Sequence, residues 1–155
     1  MGEELKKRLK MKVNPPVRVE VNLNLSIASK IIENRFDRLI SKYGITIAQY
    51  NVLRILRGVY PAGHPRCDIA IRMMDVAPDI TRLIDRLEKQ GLVVRDRTNK
   101  DRRMSITKLT DKGLKFVNDI QPVIDNEHKK ITKNLTDKEC GKLSKMLEKL
   151  YKDTN

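Results

Sequence analysis

Between Ile80 and Leu109 the spacing of apolar residues changes from that of a helix to that of strands, and this change restricts the folds open to the chain. Ile80, Leu83, Ile84 and Leu87 recur at i, i+3, i+4 and i+7, which puts them on one face of a helix predicted over about Ala77 to Gln90. Pro78 suits a first turn, where its missing N–H has no partner to lose, and Gly91 is placed to end the helix. Leu92, Val93 and Val94 then form an apolar run, and Met104 to Leu109 alternates between apolar and polar, the period of a strand. Thr98, Asn99, Lys100 and Asp101 between them are turn-forming and charged. The two runs are therefore expected to close a hairpin with a basic tip.

Helical periodicity fills most of the rest. A first helix is expected over about Leu25 to Tyr43, with Leu25, Ala28, Ile32, Phe36, Leu39 and Tyr43 on one face and Gly44 as its stop. A second opens with Thr46 and Gln49, residue types that can satisfy each other's end amides as a capping box, and continues through Val52, Ile55, Leu56 and Val59. Residues 58–65, with Pro61 and Pro65, read as a loop. A short third helix, about Arg66 to Met74, is expected to bury Ala70 and Met73 or Met74. Beyond the hairpin, a fifth helix from Thr110 carries Leu114, Val117, Ile120, Ile124 and Ile131, with Pro122 expected to kink it. Thr136 and Glu139 form a second capping box, opening a sixth helix with Cys140, Leu143, Leu147 and Leu150 on one face. The expected class is mainly α with a small β-hairpin.

Charge points to a partner. Lys and Arg number 33 against 20 Asp and Glu, a formal net charge of +13, and such an excess attracts polyanions. Its distribution is uneven. Residues 1–12 are strongly basic, as is the segment holding Arg95, Arg97, Lys100, Arg102 and Arg103, whereas bases and acids balance over residues 66–91. Specific contacts in that balanced stretch must come from placement. Two cysteines, Cys67 and Cys140, with no CxxC pair, fit a reducing compartment, and no apolar run reaches the roughly 18 residues of a membrane span. A cytoplasmic protein without a membrane association is expected.

A helix pair joined by a tight turn and followed by a basic hairpin meets the needs of groove recognition: the second helix enters the major groove and the hairpin reaches an adjacent minor groove or phosphate. On the predicted reading helix, Pro78, Arg82 and Arg86 lie four apart, away from the apolar stripe, with Asp79, Thr81 and Asp85 nearby. Arg82 is suited to bidentate contact with guanine, Thr81 to a phosphate or a thymine methyl, and Arg86 to backbone phosphate. Asp79 has two readings, acceptance from cytosine or stabilisation of the helix N-terminus. In the wing, which also holds Arg97, Asp101 stands where it can orient Arg103 for a narrow minor groove, while Lys100 and Arg102 would neutralise phosphate. The plain alternative for both segments is a solvated charged face.

The residues that join these elements, TRLIDRLEKQGLV, then DRR at 101–103, then LTDKG at 109–113, resemble the MarR family of winged helix-turn-helix regulators in order and spacing. The resemblance implies a winged head over residues 45–113 and a helical dimerisation region from residues 23–44 and 114–152, with residues 1–22 as a basic extension. It also implies a homodimer that binds a pseudo-palindromic operator on double-stranded DNA as a ligand-responsive repressor. The effector would be a small aromatic or acidic molecule, and no cofactor is required. Val76 and Ala77 depart from the family's usual capping residue before the reading helix, and Asp79 from its usual Thr or Ser. The extension is expected to be a frayed tail marked off by Asn14, Pro15 and Pro16, against a DNA-touching arm or an added dimer segment.

Other classes find less support. His64 with Cys67, and His128, do not assemble a recognised ligand set, so no metal site is expected; His128 shares the spacing of the fifth helix's apolar stripe and is expected at a dimer face or pocket. Cys140 is expected to be a buried small hydrophobe. No motif brings a nucleophile and a base together, so an enzyme is not expected. The competing reading is a basic protein that coats DNA or RNA without sequence choice. With four Tyr, two Phe and no Trp, a stacking platform for single strands is disfavoured.

Overall fold

The computed structural model describes residues 2–74, 79–96 and 105–152. Its contacts divide the chain into two units, residues 1–47 and 48–155.

The first unit holds α1 (Glu3–Leu9) and α2 (Val17–Ser41). Residues 3–9 are thus helical, where a frayed tail was expected. Glu3 and Glu4 lie in the first turn of α1 and Lys6, Lys7 and Arg8 in its last, the charge order that complements the helix dipole. Leu5 is buried, and the Gly2 amide donates to Glu20 Oε1 at 2.8 Å. The first long helix starts at Val17 and not near Leu25, because Pro16 stands at its N-cap with extended backbone and leaves the following turn free to wind. Phe36 and Ile40 are buried, Val17, Val19, Ile31 and Ile32 are exposed, and Gly44 adopts a left-handed φ of 74° after the helix.

The second unit is a helical head around a three-stranded antiparallel sheet. Its elements are α3 (Ile47–Arg57, whose first residue the division assigns to the other unit), β1 (His64–Pro65), α4 (Arg66–Arg72), α5 (Ile80–Lys89), β2 (Val93–Asp96), β3 (Ile106–Leu109), α6 (Asp111–Ile131) and α7 (Asp137–Tyr151). Helix α3 buries Val52, Leu53, Ile55 and Leu56. In α4 the buried residue is Ile69, while Ala70 is exposed and Met73, but not Met74, is buried after the helix. The expected hairpin forms, with Val93 opposite Leu109 and Asp96 opposite Ile106.

The loop expected through Pro65 contains a short strand: β1 pairs with β3 through His64–Thr107 and Pro65–Ile106, so the sheet order is β1-β3-β2. Gly63 makes the approach feasible. Its φ is +80°, and a Cβ there would stand 2.3 Å from the Thr107 carbonyl oxygen, a conformation and a spacing open only to glycine.

Helix α6 begins where the sheet ends. Thr110 caps it, its hydroxyl accepting from the Gly113 amide at 3.0 Å and donating to the Gly91 carbonyl at 2.8 Å. A Cβ on Gly113 would lie 1.9 Å from the Leu92 carbonyl oxygen, so this glycine sets how closely α6 approaches the end of α5. Val117, Ile120 and Ile124 are buried. Facing α3, Arg57 Nη1 donates to Gln121 Oε1 at 2.8 Å, and Gln121 Nε2 donates to Asp125 Oδ1 at 2.8 Å. His128 is exposed.

Helix α7 starts with the expected capping box, both halves formed between Thr136 and Glu139. The amide and hydroxyl of Thr136 both donate to Glu139 Oε2, each at 2.8 Å, and hold the carboxyl below its ordinary value of 4.5. No residue of α7 is buried. Leu143, Met146, Leu150 and Tyr151 are exposed and Cys140 is half-buried, so much of the apolar face of this helix is uncovered among the described residues.

Candidate nucleic-acid interface

The apolar stripe of α5 turns Ile80, Ile84 and Leu87 inward, and α5 packs against α4 on one side and β2 on the other. The opposite face is consequently left for solvent or a ligand. Thr81, Arg82 and Arg86 are exposed there, the face that the sequence assigns to reading. Pro78 lies outside the described residues, as do Arg97, Lys100, Asp101, Arg102 and Arg103.

Of the two roles open to Asp79, the structure shows the local one. Asp79 is the N-cap of α5, and its side chain accepts from the Arg82 amide at 3.2 Å. Such a cap contributes about 1 kcal/mol. The helix therefore begins at Ile80, later than periodicity alone suggests. The other oxygen, Oδ2, lies 3.0 Å from Arg82 Nε. That pair is exposed on both sides, the Arg82 side chain at 79%, and exposed pairs at this spacing hold by only about 0.5 kcal/mol. Arg82 is thus aligned without being committed, since a bidentate guanine contact is worth about 1–3 kcal/mol.

Arg95 behaves differently. Read from the sequence it counts among the bases of the wing; in the structure it faces the protein, with its side chain only 16% exposed. Nη2 pairs with Asp85, Nη1 lies 3.0 Å from Glu88 Oε2, and the Arg95 amide donates to Glu88 Oε1 at 3.2 Å. Nη2 also donates to the Thr81 carbonyl at 3.4 Å. One strand residue therefore grips three residues of α5. It also offsets the charge of two carboxylates on α5. On the neighbouring strand Lys108 Nζ lies 2.8 Å from Asp96 Oδ2.

A residue that the sequence pattern did not single out also reaches this face. Arg66, the first residue of α4, donates from Nη1 to Thr81 Oγ1 at 3.1 Å. The signal available was only a basic residue directly after the loop, and the third helix carries another at Arg72, which donates instead to the Asp68 carbonyl at 2.8 Å. Cys67 beside it is exposed. Tyr60, beyond α3, donates its hydroxyl to Asp111 Oδ1 at 3.0 Å, and this bond raises its pKa above the ordinary 10.0. Among the described residues no helix is long and apolar enough to cross a membrane.

Comparisons with known proteins find related sequences and folds. The model of the MarR family matches residues 45–105. A crystallised MarR transcription factor from Planctomyces limnophilus is 34% identical, with 88% of this chain and 98% of that one covered and a TM-score of 0.69. The HTH-type transcriptional regulator MhqR of Bacillus subtilis is 27% identical over 126 residues, 81% of this chain and 86% of its own. The S. aureus MepR–DNA complex shares the fold at 22% identity, with 84% of this chain and 96% of that one covered and a TM-score of 0.75.

Proposed function

The chain belongs to the MarR family of DNA-binding transcriptional regulators, and from that premise we propose that it is a ligand-responsive repressor that binds a pseudo-palindromic operator as a homodimer. The observation that carries the reading is the exposed face of α5, where Thr81 and Arg82 stand on a helix gripped by Arg95. A rigid helix with a loosely held guanidinium is what base recognition in a major groove needs. In the proposed roles Arg82 contacts a guanine, Arg86 a backbone phosphate, and the wing residues Arg97, Lys100, Asp101, Arg102 and Arg103 an adjacent minor groove and its phosphates. The head is taken as residues 45–113.

The homodimer is supported by uncovered apolar surface. Met146, Leu150 and Tyr151 of α7 are 55%, 54% and 62% exposed, and covering the exposed half of such a side chain stabilises by about 1 kcal/mol. A hollow of about 300 Å³ on the same helix is lined by Thr132, Leu135, Cys140, Leu143 and Leu147. A second copy would cover this face with residues 114–152 and, in the proposed arrangement, 23–44. The effector, an aromatic or acidic small molecule, and the repressor role rest on family membership.

Hydroxyl-radical footprinting on a bound duplex tests the reading. Two protected patches about one helical turn apart are expected. Uniform protection along the duplex would favour the alternative, a basic coat without sequence choice.

A further inference from the structure

We infer that Arg66 and Thr81 act together as a clamp for one DNA phosphate at the edge of the reading face. The inference rests on the DNA-binding reading above and adds to it a residue outside the reading helix and the wing.

Three observations carry it. The first is fixed position. Arg66 follows β1 directly, and β1 is held against β3 by the His64–Thr107 and Pro65–Ile106 pairs, so the start of α4 is set by the sheet. The second is how little of the guanidinium is used. Arginine has five N–H donors; Arg66 gives one to Thr81, and among the described residues no carboxylate pairs with it. Three other arginines nearby differ, with Arg95 on Asp85 and Glu88, Arg82 on Asp79 and Arg72 on Asp68. The third is the state of Thr81. Its hydroxyl oxygen accepts from Arg66, so its own O–H hydrogen points away from that guanidinium and is available to donate, and its carbonyl is engaged by Arg95.

Both side chains are exposed. Together they offer a guanidinium and a hydroxyl as donors side by side, with a positive charge that no carboxylate among the described residues pairs with. A phosphate supplies a negative charge and several acceptor oxygens, and Arg contacts it in the same forked geometry as a carboxylate. The Thr81 hydroxyl and the remaining guanidinium N–H groups can donate to one phosphate together. Thr81 is thereby assigned to phosphate and not to a thymine methyl.

The test compares the full chain with Arg66→Ala, Thr81→Val and the double variant, on a preferred duplex and on a random duplex of the same length, between 50 and 200 mM salt. Arg66→Ala should weaken binding about 10-fold to 100-fold, as for other charge-assisted bonds, by the same factor on both duplexes. It should also lower the slope of log K against log salt by about 0.9 for each head. Thr81→Val should weaken binding less, and the double variant should bind no worse than Arg66→Ala. A scan with single neutral methylphosphonates should find one phosphate in each half-site that matters to the full chain, less to Thr81→Val and not to Arg66→Ala. An unchanged salt slope, a base preference altered by Arg66→Ala, or additive losses would each overturn the clamp.

Thermal melting is followed for every variant. If Arg66→Ala melts well below the parent, Arg66→Lys decides, since it should keep the salt slope while losing the coupling to Thr81→Val; loss of the slope would refute the clamp. A parent chain that selects no sequence would count against the regulator reading. The clamp would then be judged on the random-duplex slope alone.

Discussion

Arg82 and Arg95 bring the same guanidinium into different surroundings, and exposure decides what each does. Arg82, 79% exposed beside one solvated carboxylate, can leave its partner cheaply. Arg82→Ala should cost about 1–3 kcal/mol on a preferred duplex and blur selectivity at one base position; equal losses on preferred and random duplexes would contradict a reading role. Asp79 shows where the sequence was ambiguous, because the same carboxylate suits a cap or a cytosine, and only the start of α5 at Ile80 separates them. At Glu139 the pattern was sufficient, since a Thr and a Glu three apart carry their own geometry. The bonds from Thr136 stabilise the ionised carboxylate, so their contribution is present above 4.5 and is lost as pH falls through the lowered value. The difference in melting temperature between the parent and Glu139→Ala should therefore be largest near neutral pH and shrink in acid.

Elements were legible where one periodicity ran long enough. Helix α5 and the β2–β3 hairpin follow from apolar spacing. Strand β1 does not, since two residues carry no period and Pro65 lacks an N–H, which suits it to a sheet edge but reads as a break. The start of α2 was hidden for another reason: Val17, Val19, Val21, Leu23 and Leu25 alternate, a strand-like pattern inside a helix. The motif LTDKG acquires a physical reason in the structure. Leu109 ends β3, Thr110 caps α6 and Gly113 meets the Leu92 carbonyl. Gly113→Ala should destabilise the head by about 1–3 kcal/mol or more, as overpacking against backbone does, read by thermal melting. Arg95→Ala should cost about 1.5–3 kcal/mol by loss of charged hydrogen bonds, and should weaken selectivity together with stability because α5 loses its grip on the wing strand. Unchanged melting would remove Arg95 from that role.

For the whole molecule, the charge of +13 explains attraction to DNA but not choice of site. Among the described residues around α5, Asp79, Asp85 and Glu88 each pair with an arginine, while Arg66 and Arg86 are exposed. Arg66 was not legible because its meaning depends on Thr81, fifteen positions away and on another helix. In the proposed homodimer a second copy covers the exposed apolar face of α7. Light scattering on the purified chain should give the mass of a dimer, and a stable monomer would contradict the two-headed arrangement. The central claim, that a dimer of winged heads chooses its site, is tested most directly by selecting bound duplexes from a random pool and titrating the winner with salt. A pseudo-palindrome with half-sites about one helical turn apart, bound at least about 1,000-fold more tightly than random duplex, is the expected result. A pool that stays random while binding remains steeply salt-dependent would contradict it.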